Sequence, residues 1–274
     1  MKEKVFISGS ISIKRLPKEV LKSIDKIISQ EFEILIGDAN GVDKLVQYYC
    51  LEKQYFNVTV YSIFDKPRNK ASEKFGFKKI LVDPTIKKEV EKQKQKDEAM
   101  TKDCDYCLVV WDGKSKGSYS NILRAIELKK KTKVFLTPKN KFLELKKINK
   151  KEIEYIFREN NGYSASEVIE YLRKNLSCEI EAIEWLHSNK RIPYRFKSSS
   201  DLYKYLVDKK LLEKKNNIYI PVDVYSEKFI IEKYKGKPKG VRFTNKFIDW
   251  MENELKIISR KIQSGQPTLF QKDT

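Results

Sequence analysis

Histidine and cysteine are scarce in this chain of 274 residues, which contains one His and four Cys. Metal centres and histidine-based catalytic triads need several such side chains close together. Cys104 and Cys107 form a lone CxxC pair, and His187 is far from them in sequence. We therefore expect ordinary core thiols, no metal site, and no triad around His187.

Long hydrophobic runs are also missing. No 18 consecutive residues are apolar, so no transmembrane helix is expected. Residues 1–9 have the pattern of a strand rather than of a signal peptide. A 40% apolar composition is still enough for a sizeable core. These features predict a cytoplasmic protein with no membrane partner.

Acidic residues are outnumbered by basic ones, 38 against 57, which gives a formal net charge of +19. A strongly basic chain favours a polyanionic partner such as nucleic acid. Residues 1–140 contain 29 basic and 19 acidic residues, net +10, and residues 141–274 contain 28 and 19, net +9. Because the excess is evenly spread, it supports contact with DNA without locating it.

Short apolar runs alternate with amphipathic stretches in the first half of the chain. Strands are predicted at residues 4–8, 32–36, 58–63, 106–111 and 133–137, and helices from Pro17, at 42–53, at 85–102 and at 119–131. This alternation predicts an α/β domain, a Rossmann-like parallel sheet with helices on both faces. Ligands bind such sheets at the carboxyl ends of the strands.

Glycine-containing loops follow three of the predicted strands. They are Ser8-Gly9-Ser10, the segment from Gly37 to Asp43, and the segment from Asp112 to Ser118. Glycine lets a backbone approach a ligand closely, and the N–H groups at a helix start favour anions. A tight turn explains each glycine equally well, but three such loops at one sheet edge favour a phosphate- or nucleotide-sized pocket.

Five segments in this order resemble the SLOG superfamily, the Rossmann-like group that includes the Lonely-guy phosphoribohydrolases and the DNA-processing protein DprA. They are FISGS at 6–10, LIGDANGVDK at 35–44, RN at 68–69, KDEAM at 96–100 and DYCLVVWDGKSKGSYSNI at 105–122. The resemblance covers residues 1–138 and implies a ligand that is a nucleotide or carries a ribose phosphate. Relatives of this group often form dimers, so a homodimer is an alternative to a monomer.

Carried onto this chain, the resemblance implies a ligand site built from all three loops and from residues 68–69. The implied ligand-binding residues are Ser8, Gly9, Ser10, Gly37, Asp38, Asp43, Arg68, Asn69, Gly113, Gly117, Ser118 and Asn121. In this interpretation Gly113, Gly117 and Ser118 hold a phosphate, while Asp38 and Asp43 border the sugar or order their loop.

The hydrolases of this group have a glutamate where alignment places Asn121, and an amide is a poor general base and no nucleophile. Their RKxxM segment reads Lys96-Asp97-Glu98-Ala99-Met100 here. These departures favour binding over hydrolysis. If the chain is an enzyme, Asp97 and Glu98 are the candidate catalytic acid/base groups; otherwise they belong to a solvated helix face.

The second half is predicted to be a separate, smaller domain. The boundaries are a domain at 1–138, a basic linker at 139–150, a domain at 151–262 and a flexible tail at 263–274. Ser164 and Glu167 have the spacing of a capping box, and Ser200-Asp201 is predicted to cap a later helix. Helices followed by short strands predict an α+β, winged-helix-like domain.

A basic segment, YKGKPKG at residues 234–240, is predicted to be the loop of the wing. Its candidate nucleic-acid-binding residues are Lys233, Lys235, Lys237 and Lys239, whose charges would contact phosphates. A solvated, lysine-rich hairpin is the alternative. Residues 202–221 and 229–251 resemble the C-terminal domain of phage antirepressors (the KilA C-terminal type), which implies a small module that interacts with DNA or a repressor.

Near its end the chain resembles the docking peptide of bacterial sliding clamps. The resemblance lies in QPTLF at residues 266–270, and it implies that Gln266, Leu269 and Phe270 bind a clamp. Packing of the tail on the protein's own surface is the alternative.

Together these patterns predict a bacterial or phage protein that binds a nucleotide-derived ligand and contacts DNA or a replication or regulatory partner. One alternative is an enzyme of the nucleotide N-glycosidase or phosphoribohydrolase type. The other is a DprA-like protein whose first domain binds single-stranded DNA. No cofactor is indicated beyond the nucleotide or ribose-phosphate ligand itself.

Overall fold

A computed structural model describes residues 2–224 and 226–263. The chain divides into two compact units, of which the first ends at Phe157 and the second begins at Arg158.

A seven-stranded sheet forms the centre of the first unit. Its strands are β1 (Lys4–Gly9), β2 (Glu33–Ile36), β3 (Val58–Ser62), β4 (Gly76–Lys79), β5 (Tyr106–Trp111), β6 (Lys131–Leu136) and β7 (Lys141–Phe142). They lie in the order β4-β3-β2-β1-β5-β6-β7, and every pairing is parallel except that of β6 with β7. The predicted Rossmann-like parallel sheet is confirmed.

Four helices flank this sheet. They are α1 (Lys18–Ser29), α2 (Val42–Glu52), α3 (Glu89–Asp103) and α4 (Lys116–Glu127). Residues of α1 and α2 share a core with Val5 and Ile7 of β1. Met100 of α3 and Ala125 of α4 instead share a core with Phe6. Since successive strand residues point to opposite faces, helices cover both faces of the sheet, as predicted.

Some boundaries differ from the sequence prediction. α3 begins at Glu89 rather than at residue 85. α4 begins at Lys116 rather than at residue 119, because the Ser115 hydroxyl accepts a hydrogen bond from the Ser118 N–H and caps the helix. The edge strand β4 is missing from the prediction, since it is exposed at all four positions and has no buried apolar run.

The predicted linker at 139–150 contains regular structure. Its residues include the end of a 3-10 turn at Thr137–Lys139, β7, and a second 3-10 turn at Leu145–Lys147. The helix that follows, α5 (Lys150–Asn161), places Ile153 and Phe157 in a core with Trp111. The first unit therefore continues past residue 138, and its last apolar contribution comes from Phe157 of α5.

Helices precede two hairpins in the second unit. Its elements are α6 (Ala165–Asn175), α7 (Ser177–Ser188), α8 (Ser199–Asp208), β8 (Leu212–Lys215), β9 (Ile218–Pro221), β10 (Phe229–Tyr234), β11 (Lys237–Phe243) and α9 (Asn245–Gln263). β8 pairs with β9, and β10 with β11, both antiparallel. A core that includes Leu172, Tyr205 and Phe243 joins the helices to the hairpins. The unit has the predicted α+β, winged-helix-like order.

Helix caps in this unit follow the sequence with one correction. The capping box of α6 is confirmed, because Ser164 accepts from the Glu167 N–H and Glu167 accepts from the Ser164 N–H. α8 is capped by Ser198 rather than by Ser200-Asp201. Asp201 is the third residue of that helix, and its carboxylate accepts a 2.9 Å hydrogen bond from the Ser198 N–H.

Among the described helices, none combines the length and the apolar composition that a bilayer crossing requires. Gln266, Leu269 and Phe270 lie outside the described residues, so clamp docking stays a prediction.

Candidate functional site

The carboxyl edge of the sheet has a switch point beside its central strand. β2, β3 and β4 lie on one side of β1, whereas β5 and β6 lie on the other. Loops after neighbouring strands diverge at such a point and leave a crevice, where ligands bind in open parallel sheets. The three glycine-containing loops follow β1, β2 and β5 and therefore lie at this edge.

Direct hydrogen bonds join the loops after β1 and β5. The Ser10 N–H donates to the Val110 carbonyl at 3.0 Å. The Ser10 hydroxyl oxygen accepts from the Asp112 N–H at 3.1 Å and lies 3.4 Å from the hydroxyl oxygen of Ser118. Both hydroxyl groups are buried. These bonds fix the first predicted loop against the start of α4.

Close packing joins the loops after β1 and β2. A Cβ on Gly9 would lie 2.4 Å from the Val110 carbonyl oxygen and 2.5 Å from a methyl group of Val42. Gly41 has a φ of +75°, and a Cβ there would lie 2.6 Å from the Ser10 carbonyl oxygen. Both glycines are thus required by contacts inside the protein. Gly117 differs, since a Cβ there would meet nothing closer than 4.0 Å.

Asp38, at the end of β2, is the buried anion of the site. It accepts from the Ser62 hydroxyl at 2.8 Å and from the Arg68 guanidinium at 2.8 and 3.2 Å. The Lys96 ammonium lies 3.3 Å away. Burial alone would raise the pKa of Asp38, but the Arg68 bonds and the Lys96 charge outweigh it and lower that pKa to about 2. The ionised Asp38 carboxylate therefore fixes the side chains of Arg68 and Lys96.

Sequence reasoning missed Lys96. It is 3% exposed, although it belongs to a helix in which lysine recurs on every side. Its ammonium lies 3.8 Å from Asp97, in addition to its contact with Asp38. Burying an ammonium costs several kcal/mol unless carboxylates compensate it, which these two do. The only signal in the sequence is its place at the start of the KDEAM segment, since the helix pattern does not distinguish it from the other lysines of α3. Its contact with Asp38 does.

Asp43, near the start of α2, is a second buried carboxyl group. Its Oδ2 accepts a hydrogen bond from the Ala39 N–H at 3.2 Å. The same oxygen would lie only 2.3 Å from a Cβ on residue 37, so only glycine fits there. Burial raises the pKa of Asp43 to about 7, despite the opposing charge of Lys96. The predicted alternative that Asp43 orders its loop therefore has a structural basis in the Ala39 bond.

Asn121 lies beside Arg124 on its own helix and near Asp97 of α3. Its Oδ1 accepts from the Arg124 guanidinium at 2.8 Å. Burial raises the pKa of Asp97, while Lys96, Arg124 and the Asn121 side chain oppose the rise. The Asp97 carboxyl group thus lies beside the side chain at position 121.

Other predicted residues have more peripheral positions. The Asn69 amide donates to the Asp38 carbonyl oxygen at 2.8 Å and closes the loop after β2. Glu98, the second catalytic candidate, is 47% exposed and lies 3.9 Å from Arg124. It belongs to the outer side of α3, and only Asp97 of the two candidates reaches the interior of the site.

In the loop after β5, some backbone N–H groups donate hydrogen bonds within the loop and others do not. The Asp112 carboxylate accepts from the N–H groups of Lys114 at 2.9 Å and Ser115 at 2.7 Å. Gly113 has a φ of +76°, which this tight turn requires. The N–H groups of Lys116 and Gly117, in the first turn of α4, make no hydrogen bond within the described residues.

Ser8 contributes one further unsatisfied group. Its hydroxyl is buried and lacks a hydrogen-bond partner in the described part of the chain. By strand periodicity it points to the same face of β1 as Phe6, the face covered by α3 and α4. A buried hydroxyl without a protein partner is uncommon in proteins, so the Ser8 hydroxyl keeps its hydrogen-bonding capacity for another group.

The four candidate lysines of the second unit lie at one hairpin tip. Lys233, Lys235, Lys237 and Lys239 are all exposed. The segment predicted as a loop is instead mostly strand, since β10 continues to Tyr234 and β11 resumes at Lys237.

Over the described residues, no three His, Cys, Asp or Glu side chains are placed to hold a metal ion. The Cys104 and Cys107 sulfur atoms lie 3.5 Å apart in the core. Comparison of the chain with protein-family models, with curated proteins and with solved structures finds no match.

Proposed function

We propose that the first unit binds a nucleotide or another ribose-phosphate compound in the crevice between the loops after β1, β2 and β5. The observation that carries this proposal is the start of α4. There the N–H groups of Lys116 and Gly117 have no partner among the described residues, and the space beside Gly117 is open. Such N–H groups, at the positive end of a helix dipole, are suited to a phosphate group.

Neighbouring groups support an anionic, hydroxyl-bearing ligand. The unsatisfied Ser8 hydroxyl can accept from or donate to a sugar hydroxyl. The Arg68 guanidinium is 39% exposed and is held by Asp38, so its remaining donors have a fixed direction. Lys96 is not available to the ligand, because it neutralises the buried carboxylates.

A substitution at Gly117 separates binding from folding. Gly117→Asp places a carboxylate in the first turn of α4, where it stabilises a helix by about 0.3–1 kcal/mol but repels a phosphate. The probes are the four ribonucleoside monophosphates and ribose 5-phosphate, titrated by calorimetry. We expect binding to the wild-type protein and at least roughly a tenfold loss in Gly117→Asp, about 1.4 kcal/mol, without loss of stability.

The matched control is Cys178→Asp, which introduces the same carboxylate at the second residue of α7 in the other unit. It is expected to leave binding unchanged. The proposal fails if none of the probes binds at millimolar concentration, or if Gly117→Asp binds them as tightly as the wild-type protein does.

A nucleotide N-glycosidase is the second candidate, and Asp97 is the observation that favours it. Its side chain is 22% exposed, burial raises its pKa, and it lies 3.8 Å from the Lys96 ammonium and near Asn121. A carboxyl group with a raised pKa can transfer a proton at neutral pH, as cleavage of a glycosidic bond requires.

Base release separates catalysis from binding. Nucleoside monophosphates and NAD are incubated with the protein, and the free base is measured by chromatography. If Asp97 is the acid/base group, Asp97→Asn lowers the rate by roughly 100-fold or more. Glu98→Gln, at the neighbouring half-exposed position, changes it little. Absence of base release from every substrate excludes this candidate and leaves the binding proposal intact.

A further inference from the structure

The hairpin of β10 and β11 ends in a narrow, fully exposed tip. Tyr234 and Lys237 form its last strand pair. The two residues between them, Lys235 and Gly236, have φ angles of +48° and +79°. Left-handed backbone at both positions is the geometry of a two-residue hairpin turn, which matches the twist of the strands. Every residue from 233 to 239 is exposed, so the tip projects into solvent.

The charged side chains of this tip are all positive. Four of its seven residues, 233–239, are lysine, and none is acidic. Within the described residues, none of these lysines takes part in an ion pair. The nearest carboxylate in sequence, Glu232, lies 3.6 Å from the Arg242 guanidinium instead. The tip therefore presents an uncompensated positive charge to a polyanion.

An aromatic ring lies within this charged tip. Tyr234 is 64% exposed, and the Lys235 ammonium lies 5.7 Å from the centre of its ring. Because directly opposite strand residues share a face, Tyr234 and Lys237 project from the same side of the hairpin. The ring has no aromatic neighbour among the described residues and is largely exposed, so the face turned away from Lys235 is open to a partner.

We propose that this tip binds single-stranded nucleic acid, with Tyr234 stacking on an unpaired base and Lys233, Lys235 and Lys237 contacting the flanking phosphates. Alternation of cationic side chains and an exposed ring is what a strand with splayed bases requires. The bases of a duplex are stacked on one another and offer no face to the ring. The inference goes beyond the ligand proposed for the first unit and does not depend on it.

Binding is measured by fluorescence anisotropy with a labelled oligothymidine of about 20 nucleotides. Tyr234→Ala is expected to weaken binding roughly five- to 140-fold, the range that corresponds to about 1–3 kcal/mol for one stacked base. Tyr234→Phe keeps the ring and is expected to bind like the wild-type protein. The double variant Lys235→Ala, Lys237→Ala is expected to lower the slope of the salt dependence by about 0.7 for each phosphate that the protein no longer neutralises.

Two controls make these results specific. Tyr48→Ala removes another exposed tyrosine, 53% exposed, whose ring also lies near a lysine, with the Lys44 ammonium at 5.8 Å. It is expected to leave binding unchanged. Heparin, a polyanion without bases, is expected to respond to the lysine variant and not to Tyr234→Ala.

The proposal is overturned if the wild-type protein fails to bind the oligothymidine at low salt. It is also overturned if Tyr234→Ala binds like the wild-type protein, or if Tyr48→Ala loses as much affinity. Tighter binding to a duplex, with no effect of Tyr234→Ala, would assign the hairpin to duplex phosphates and likewise contradict it. Circular dichroism of each variant checks that the fold is retained.

Discussion

Replacing Asp43 by Asn is expected to stabilise the first unit above neutral pH and to leave its stability nearly unchanged at pH 4. Asp43 is 8% exposed, and burial raises the pKa of its carboxyl group from 3.8 to about 7. An asparagine has almost the same shape, does not titrate, and keeps an oxygen that can accept from the Ala39 N–H. It therefore imitates the protonated carboxyl group at every pH.

The size of the effect follows from proton linkage. Between pH 3.8 and about 7, the folded protein holds a proton on Asp43 that the unfolded chain has released. Stability consequently falls as pH rises through this window and is constant above it. At roughly 1.4 kcal/mol for each pH unit, the loss reaches about 4 kcal/mol at pH 8. Relaxation of Lys96 and water toward the ionised group reduces this loss.

Urea unfolding of the first unit provides the assay. Trp111 is buried in this unit, whereas Trp185 and Trp250 belong to the second, so a Trp185→Phe, Trp250→Phe background isolates its fluorescence. The free energy of unfolding is measured at pH 5 and pH 8 with and without Asp43→Asn. The variant should gain stability over its parent as pH rises. Parallel pH profiles, or a variant that is less stable at both pH values, would refute the reasoning.

Three further substitutions test the packing and the ionic contacts. Gly9→Ala should lower the free energy of unfolding by about 3 kcal/mol or more, because its Cβ would lie 2.4 Å from a carbonyl oxygen. Gly117→Ala, with open space around its Cβ, should be neutral or stabilising by up to about 1 kcal/mol in the same assay. Glu167→Gln should destabilise the second unit by about 1 kcal/mol at pH 7, a value kept small because the carboxylate is 38% exposed. Burial raises the pKa of Glu167, but the Ser164 N–H and Arg158 lower it to about 2, so this contribution should vanish as pH falls from 4.5 to 2, measured by Trp250 fluorescence.

Strand and helix order in the first unit could be predicted because each buried strand is a short apolar run between polar loops. The loops after β1, β2 and β5 could also be assigned to one sheet edge, since parallel topology requires it. The exposed strand β4 could not, because its residues show no apolar pattern.

The roles of individual residues in the site depended on tertiary contacts. Gly9 and Gly117 are the same residue type in segments predicted as similar loops, yet Gly9 ends β1 enclosed by protein atoms and Gly117 lies in the first turn of α4 beside open space. Lys96 is one of 57 basic residues in the chain, and only its position beside Asp38 makes it part of the site. Asn121, where the sequence departs from the pattern it resembles, lies near Asp97 and accepts a hydrogen bond from Arg124.

An NMR titration of the ¹⁵N-labelled protein with AMP tests the central claim most directly, because it both detects the ligand and locates it. We predict that the amide signals of Lys116 and Gly117 shift, together with those of Ser8 and Ser10, while the signals of the second unit stay in place. Signals that do not move at millimolar AMP, or that move only in the second unit, would contradict a ribose-phosphate site at the carboxyl edge of this sheet.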